Sequence, residues 1–500
     1  MNFTEALKAY NDWKFRLSAY EMALSIISID KMTVAPPAGA AYRDERSAFL
    51  AGESFSIETD PNIIPILRQI SESDEADPDL KKEASVYLRE VMKIVSIPKE
   101  EYVAFDRDAN ASYDAWLEAK EKADYGIFEP HLKKMIEWKK KLYGYRDSDL
   151  PLYDQMLDDF EPGMNQSAYD RFFDILKAKL LPLIQDISQA EPIDESVLSR
   201  ICPVDEQKRW TTEVLLPYLH FDPSWGYQNE TEHPFTSWTC ENDCRTTTKY
   251  LADNFTSSIF STIHETGHAW YEHNIDPKYD GAILSTGVSS GMHESQSRFC
   301  ENYLGRSRPF WTANYPSLQK AFPSQLGDVS LDVFMRAINA SKPSLVRTEA
   351  DELTYPIHIL IRYEIEKGLF SGTISTEGLD RTWSGLYKEY LGVAPGNAAE
   401  GILQDVHWSS GDFGYFPTYA LGSAFAAQFY HAMRRDIDVD GALESGRYID
   451  LMHWLKEHIQ KYGARYSADE IMKMATGEPF NPEYYTDYLT RKYRALYHLD

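Results

Sequence analysis

The chain has 500 residues, with 51 Lys plus Arg against 78 Asp plus Glu, for a formal charge of −27. So acidic a surface repels phosphate backbones and anionic headgroups, which argues against nucleic-acid and membrane-surface partners. Apolar residues make up 43% and aromatics 13%, too many for a disordered chain and enough for a large core.

At the N-terminus, Leu7, Tyr10, Trp13, Leu17, Tyr20, Leu24 and Ile27 step by three or four and predict one helix face. The apolar run Met22 to Ile29 is short and bounded by Glu21 and Asp30, so it does not read as a signal peptide. No stretch reaches the roughly 18 apolar residues that span a bilayer. A cytoplasmic protein is expected. Ala35-Pro36-Pro37-Ala38-Gly39 reads as a loop. Helical steps recur around 80–95, 112–123, 129–143, 166–189 and 205–218. Within this stretch, Asp158-Asp159-Phe160-Glu161 reads as a solvated face or helix end, and Glu191-Pro192-Ile193-Asp194 as a loop.

The plausible strand region is 235–250, rich in Thr and aromatics and broken by the turn-like Glu241-Asn242-Asp243. Further helical windows follow around 254–273, 285–304, 354–368, 416–434, 445–461 and 482–497, with a loop at Gly477-Glu478-Pro479. Four cysteines are no disulfide framework. Cys240 and Cys244 have the wrong spacing for a zinc knuckle, and with Cys202 and Cys300 they read as reduced. No repeat, low-complexity tract or long linker divides the chain. It reads as one mostly α-helical body over 1–500, with two lobes around a cleft, a boundary the pattern does not place, and a small β element.

The chemistry concentrates in Ser261-Thr262-Ile263-His264-Glu265-Thr266-Gly267-His268-Ala269-Trp270. On a helix, His264 and His268 project from one face one turn apart and can share a small tetrahedral ion. Glu265 is rotated by about 100° and sits beside the open coordination position. Such an ion brings the pKa of its water to about 7, and a nearby carboxylate removes the proton. With 13 His in 500 residues, the pattern arises by chance in roughly 3% of such chains. The flanking Phe260, Ile263, Gly267 and Trp270 place the histidines in partly apolar surroundings, where an imidazole needs a partner. A third ligand should come from a downstream element. Glu294 follows His268 by 26 residues in a predicted helix, and His-His-Glu is a recurrent zinc set. Glu301 competes, and Asp280 is a weaker choice.

Together with His293-Glu294-Ser295-Gln296, this segment resembles the carboxypeptidase Taq family of zinc metallopeptidases. His233-Pro234-Phe235 matches a further family signature, and Asp243-Cys244-Arg245-Thr246-Thr247 fits its Asp-x-Arg-x-Thr pattern. Arg347-Thr348-Glu349-Ala350-Asp351 fits Arg-x-x-Ala-Asp, although Val346 stands where Ile or Tyr is usual. Gly401-Ile402-Leu403-Gln404-Asp405-Val406-His407-Trp408 fits Gly-x-x-Gln-Asp-x-His-Trp. The resemblance implies a zincin-type, almost all-helical fold with a long groove, metal-dependent removal of C-terminal peptide residues, and a homodimer. It also implies Zn²⁺ on His264, His268 and Glu294, with Co²⁺ or Mn²⁺ compatible with the same donors.

Glu265 is the expected general base. Arg347 is the choice for the substrate's free carboxylate, because a guanidinium grips one bidentately, with Arg362 and Arg245 as rivals. Asp351 orients the site or pairs locally. The likeness places His233 near the substrate. Asp243 and Arg245 flank a strand that could pair with an extended peptide, or form a structural ion pair. In related helical zincins, a His followed about twelve residues later by a Tyr serves the oxyanion. His407 and Tyr419 match that separation, and Tyr415 is the alternative. Gln404 and Asp405 are expected to fix histidine orientation. The expected activity is a carboxypeptidase of broad specificity on short peptides with a free C-terminus. An endo-oligopeptidase on the same fold is the alternative. A helical binding protein with an accidental histidine pair is a third reading.

Overall fold

A computed structural model describes residues 1–499, 69% of it helical, with one small sheet. The predicted class is correct, and the predicted windows coincide with helices such as Pro78–Ile94, Gln166–Gln189, Phe255–Asn274, Tyr355–Ser371, Phe416–Asp436 and Glu483–Tyr497. Others lie outside those windows. The helix Ala40–Glu58 buries only Ser54 and Ile57, so its sequence carries no apolar stripe. The helix Leu379–Leu391 buries Leu379, Trp383, Tyr387 and Leu391, a regular four-residue step that the windows omit.

The predicted strand region divides into β2 (Thr236–Cys240) and β3 (Asp243–Thr248), joined by a two-residue turn. A further strand, β1 (Gly226–Glu230), was not expected. The order is β1-β3-β2, with β1 parallel and β2 antiparallel to β3. Thus β2 is an edge strand, and on its outer side the Trp238 carbonyl accepts from Ser25 Oγ of the N-terminal helix at 3.4 Å. Cys202, Cys240, Cys244 and Cys300 are all free thiols.

The apolar core falls into two clusters. The smaller one joins Ala6, Tyr10, Trp13 and Leu17 to Leu67, Ile70, Tyr87 and Val91 of the N-terminal helices. The larger one runs from Trp116 to Tyr497. Between them lies a groove of about 1710 Å³, lined at one end by Val86, Arg89 and Glu90 and further along by His264, Glu265 and Glu294.

The acidic run at 158–161 ends a helix, one of the two readings of the sequence, but it is not a solvated face. Asp159 pairs with Lys93 and Arg146, and Glu161 is only 1% exposed. Glu161 ends the helix Leu152–Phe160 and accepts hydrogen bonds from Ser289 Oγ (2.7 Å) and the Gly291 N–H (2.9 Å). It therefore sits at the positive N-terminal end of the helix that carries Glu294.

Glu366 is a second buried acid with no cation beside it. Its carboxylate accepts from Trp408 Nε1 (2.7 Å), Tyr153 Oη (2.8 Å) and the Gly414 N–H (2.8 Å), clamping the turn that follows His407. Burial pushes its pKa up to about 7 from 4.5, against those three donors. Between these values the folded protein holds a proton that the unfolded chain has lost. The associated stability is complete below about pH 4.5 and drains away as pH rises through about 7, by up to about 3 kcal/mol. Thermal melts from about pH 5 to 8 should therefore fall less steeply for Glu366→Gln than for the parent. Parallel slopes would mean that Glu366 is ionised throughout.

Candidate metal centre and active-site groove

The helix Phe255–Asn274 is buried around most of its circumference, and His264 and His268 open onto the groove with side chains 16% and 17% exposed. Gly267 lets the next helix, Ser290–Arg298, close against it. A Cβ at Gly267 would lie 2.7 Å from Gln296 O and 2.8 Å from the Ser297 Cα. On the opposite flank, Gly422 of the helix Phe416–Asp436 would put a Cβ 2.7 Å from the Glu294 Cβ. Glu294 is thus held between two helices that reach it through glycines.

Glu294 Oε2 lies 3.7 Å from His264 Nε2 and 3.5 Å from His268 Nε2. The three donors fall within 4.8 Å of one another. A tetrahedral ion with bonds of about 2.0–2.2 Å separates its ligands by roughly 3.3–3.6 Å, so this set fits a divalent cation with a fourth position toward the groove. Glu301, the competing third ligand, stands elsewhere. It follows in the wide-turn helix Phe299–Gly305 and accepts from His264 Nδ1 at 3.0 Å. A proton on His264 Nδ1 leaves Nε2 with its lone pair toward Glu294. Partial burial, reinforced by the facing Glu241, raises the pKa of Asp280.

Arg298 bridges the two carboxylates, and Arg306 also pairs with Glu301 at 3.2 Å. The Arg298 Nε donates to Glu294 Oε1 (2.7 Å) and its Nη1 to Glu301 Oε2 (3.1 Å). Burial alone would raise the pKa of Glu294, but Arg298, then His264 and His268, hold it well below the usual carboxylate range. Burial pushes His268 down to about 3, with His293 and His264 adding to the shift. Glu265 is 7% exposed, and burial raises its pKa. The Thr236 hydroxyl on β2 lies 2.6 Å from Glu265 Oε2 and 2.9 Å from its carbonyl oxygen.

The same groove carries Arg347, backed by the buried Arg362. Arg347 donates through Nε (2.9 Å) and Nη2 (2.8 Å) to Asp405 Oδ1, and through Nη1 to Tyr355 Oη (3.1 Å). Asp405 also takes Arg362 through its other oxygen, at 2.7 Å from Nε. Gln404 accepts from the Arg347 N–H (2.7 Å) and from Arg362 Nη2 (2.8 Å). Gln404 and Asp405 therefore orient arginines, not histidines as the sequence suggested. Asp351 pairs locally, accepting from Ser341 Oγ, Thr354 Oγ1 and nearby backbone N–H groups. Arg347, Tyr355, Tyr415, Tyr419 and His233 line the groove. His407 sits behind it, with Nε2 3.3 Å from Tyr419 Oη. Arg245 does not line the groove, and its Nε and Nη2 both bind Asp243 at 2.7 Å.

The profile of the carboxypeptidase Taq (M32) metallopeptidases matches residues 10–493. The chain belongs to this family. It is 42% identical over 493 residues to Carboxypeptidase 1 of Bacillus subtilis, covering 98% of each chain. To Thermostable carboxypeptidase 1 of Thermus thermophilus it is 36% identical over 498 residues, covering 96% of this chain and 97% of that one. The crystal structure of the M32 carboxypeptidase from Deinococcus radiodurans R1 superposes with a TM-score of 0.95 at 30% identity, over 99% of this chain and 100% of that one. The protein is accordingly a metallocarboxypeptidase, a peptide hydrolase that requires a divalent metal.

Sequence reasoning about this carboxypeptidase missed Thr236, Arg298, Tyr355 and the partnership of Glu301 with His264. Arg298 alone had a local signal, standing four residues after Glu294 on one helix face. Removing one partner of a buried ion pair strands the other. Arg298→Leu should cost about 3–5 kcal/mol in urea unfolding of the metal-free protein. A cost below about 1 kcal/mol would show that water reaches Glu294 and Glu301.

Proposed function

We propose that this metallocarboxypeptidase removes single residues from the free C-terminus of short peptides with broad side-chain tolerance. In this reading His264, His268 and Glu294 hold Zn²⁺, and Glu265 is the general base. The observation that carries the reading is the arrangement of the groove: the three donor atoms and Glu265 lie on one wall, and Arg347 on the same groove.

His264, His268 and Glu294 would hold the ion, which when bound would supply Lewis-acid polarisation of the scissile carbonyl and a lowered pKa for the attacking water. Everything else falls to the chain. Glu265, with Oε2 fixed by Thr236, takes the proton of that water and passes it to the leaving amine. Tyr419 donates its hydroxyl hydrogen to the oxygen that gains negative charge, with Tyr415 as the neighbouring alternative. His407 keeps that hydrogen available. Burial pushes its pKa down to about 4, with Asp405 opposing and Arg347 assisting. A single proton on Nε2 is donated to Tyr419 Oη and leaves the tyrosine hydrogen free. His407 Nδ1, buried and without a partner, is then the lone-pair nitrogen.

Arg347 retains capacity for a carboxylate. A guanidinium has five N–H groups, and Asp405 and Tyr355 engage three of them, leaving two. Arg347 and Arg362 share one Asp405, so this buried wall carries one net positive charge. The outer edge of β2 at Thr236, with Phe235 and His233 just before the strand and all three on the groove, suits an extended peptide backbone. Arg245 and Asp243 stiffen the β2–β3 hairpin beside it. A homodimer is part of the proposal. Phe15, Tyr42, Phe49 and Val34 on the N-terminal helices and the turn between them are each more than 60% exposed and offer apolar area for a second copy. No described helix is long and apolar enough to cross a membrane.

The test is a mass-spectrometric time course on one peptide as free acid and as C-terminal amide, each with and without a chelator. Stepwise loss from the free acid only, abolished by the chelator, is expected. Internal cuts in both peptides would instead mark an endo-oligopeptidase. Glu265→Gln should retain zinc and lower kcat by about 10²–10⁴. Arg347→Gln should erase most of the preference for the acid over the amide. Sedimentation equilibrium should return twice the monomer mass.

A further inference from the structure

Glu272 and His293 take no part in the scheme above, yet they are built against a ligand. Glu272 lies one helical turn beyond His268 and is 2% exposed. His293 immediately precedes Glu294 on the facing helix. Its Nδ1 is 2.6 Å from His268 Nδ1, and its Nε2 is 2.8 Å from Glu272 Oε1. Glu272 Oε1 also accepts from Thr286 Oγ1 and the Gly287 N–H, both at 3.1 Å. The His293 ring stacks on Trp238 at 5.3 Å and 24°. Gly287 presses on its far edge, where a Cβ would come within 2.9 Å of His293 Cδ2. The ring is fixed in place and orientation.

Proton placement follows from donor chemistry. An ionised carboxylate only accepts, so the hydrogen between Glu272 and His293 belongs to Nε2. A neutral imidazole protonated at Nε2 has its lone pair on Nδ1. The single hydrogen between the two Nδ1 atoms therefore belongs to His268. That leaves His268 Nε2 unprotonated, 3.5 Å from Glu294 Oε2, in the tautomer a metal ion requires.

We propose that His293 and Glu272 are positioning residues that set metal affinity by fixing the tautomer and orientation of His268. This rests on the reading of His268 as a ligand, which a His268→Ala control tests separately. Zinc dissociation constants of the full chain are measured by competition with a chromophoric chelator. His293→Leu keeps the packing against Trp238 but removes the acceptor, and it should weaken zinc binding roughly 10- to 100-fold. His293→Asn, whose amide oxygen reaches approximately the place of Nδ1, should recover most of that loss. Affinity within about threefold of the parent for His293→Leu, or an Asn variant no better than the Leu variant, would overturn the inference. If His268→Ala also binds zinc like the parent, the ligand reading fails instead. Should His293→Leu not fold, ¹⁵N spectra of the histidine-labelled metal-free parent decide. Protonation of His293 at Nε2 and of His268 at Nδ1 is expected, and the opposite pair would refute it.

Discussion

Arg298 is the constraint on which the centre depends. Glu294 and Glu301 are both nearly buried and both lie within 4 Å of a histidine. Two carboxylates so placed repel each other, and one would otherwise take up a proton. The Arg298 guanidinium touches both, holding Glu294 ionised with Oε1 occupied and Oε2 turned to the histidines. The same side chain thereby separates the two roles. One carboxylate offers an oxygen to the ligand set, and the other holds the outer nitrogen of His264.

Charge of that kind is tolerable only where the backbones allow it. The candidate ligands on the helices Phe255–Asn274 and Ser290–Arg298 converge within a few ångströms, closer than a side chain at Gly267 would permit, and Gly422 lets the helix Phe416–Asp436 close on Glu294. Close approach in turn buries the helix faces, and burial magnifies every interaction between the charges. Packing and electrostatics are therefore one condition here: the glycines bring the helices together, and Arg298 makes the enclosed charges compatible.

The parts legible in the sequence were those whose geometry is local. An i, i+4 histidine pair on a helix needs no tertiary information, and apolar steps located most of the helices. Glu294 and Glu301 are seven residues apart on one run, and the pattern preferred Glu294 but left Glu301 in competition, because their difference lies in which atom of His264 each one faces. Thr236 reaches Glu265 across 29 residues, from strand to helix, and nothing local in either segment announces it. Similarly, β1 reads Gly-Tyr-Gln-Asn-Glu, without alternation, and is a strand because β3 offers it a parallel partner. Glu161 looked solvated because it ends an acidic run, but its burial is imposed by the helix N-terminus it caps, 130 residues downstream.

The arginine wall acquires its meaning from the charge of the whole chain. With a formal charge of −27, the protein as a body repels a peptide carboxylate, and at physiological salt that field decays over about 8 Å. Selection of a free C-terminus therefore has to be local and shielded. In the proposed reading two arginines bound to one buried aspartate serve that end, since Asp405 holds both guanidiniums in place while leaving one positive charge uncancelled. A lone arginine would be freer to swing toward surface acids, and a one-to-one ion pair would present no net charge. The two-to-one ratio keeps the fork both rigid and attractive to an anion, and it does so inside a protein whose average surface is the opposite.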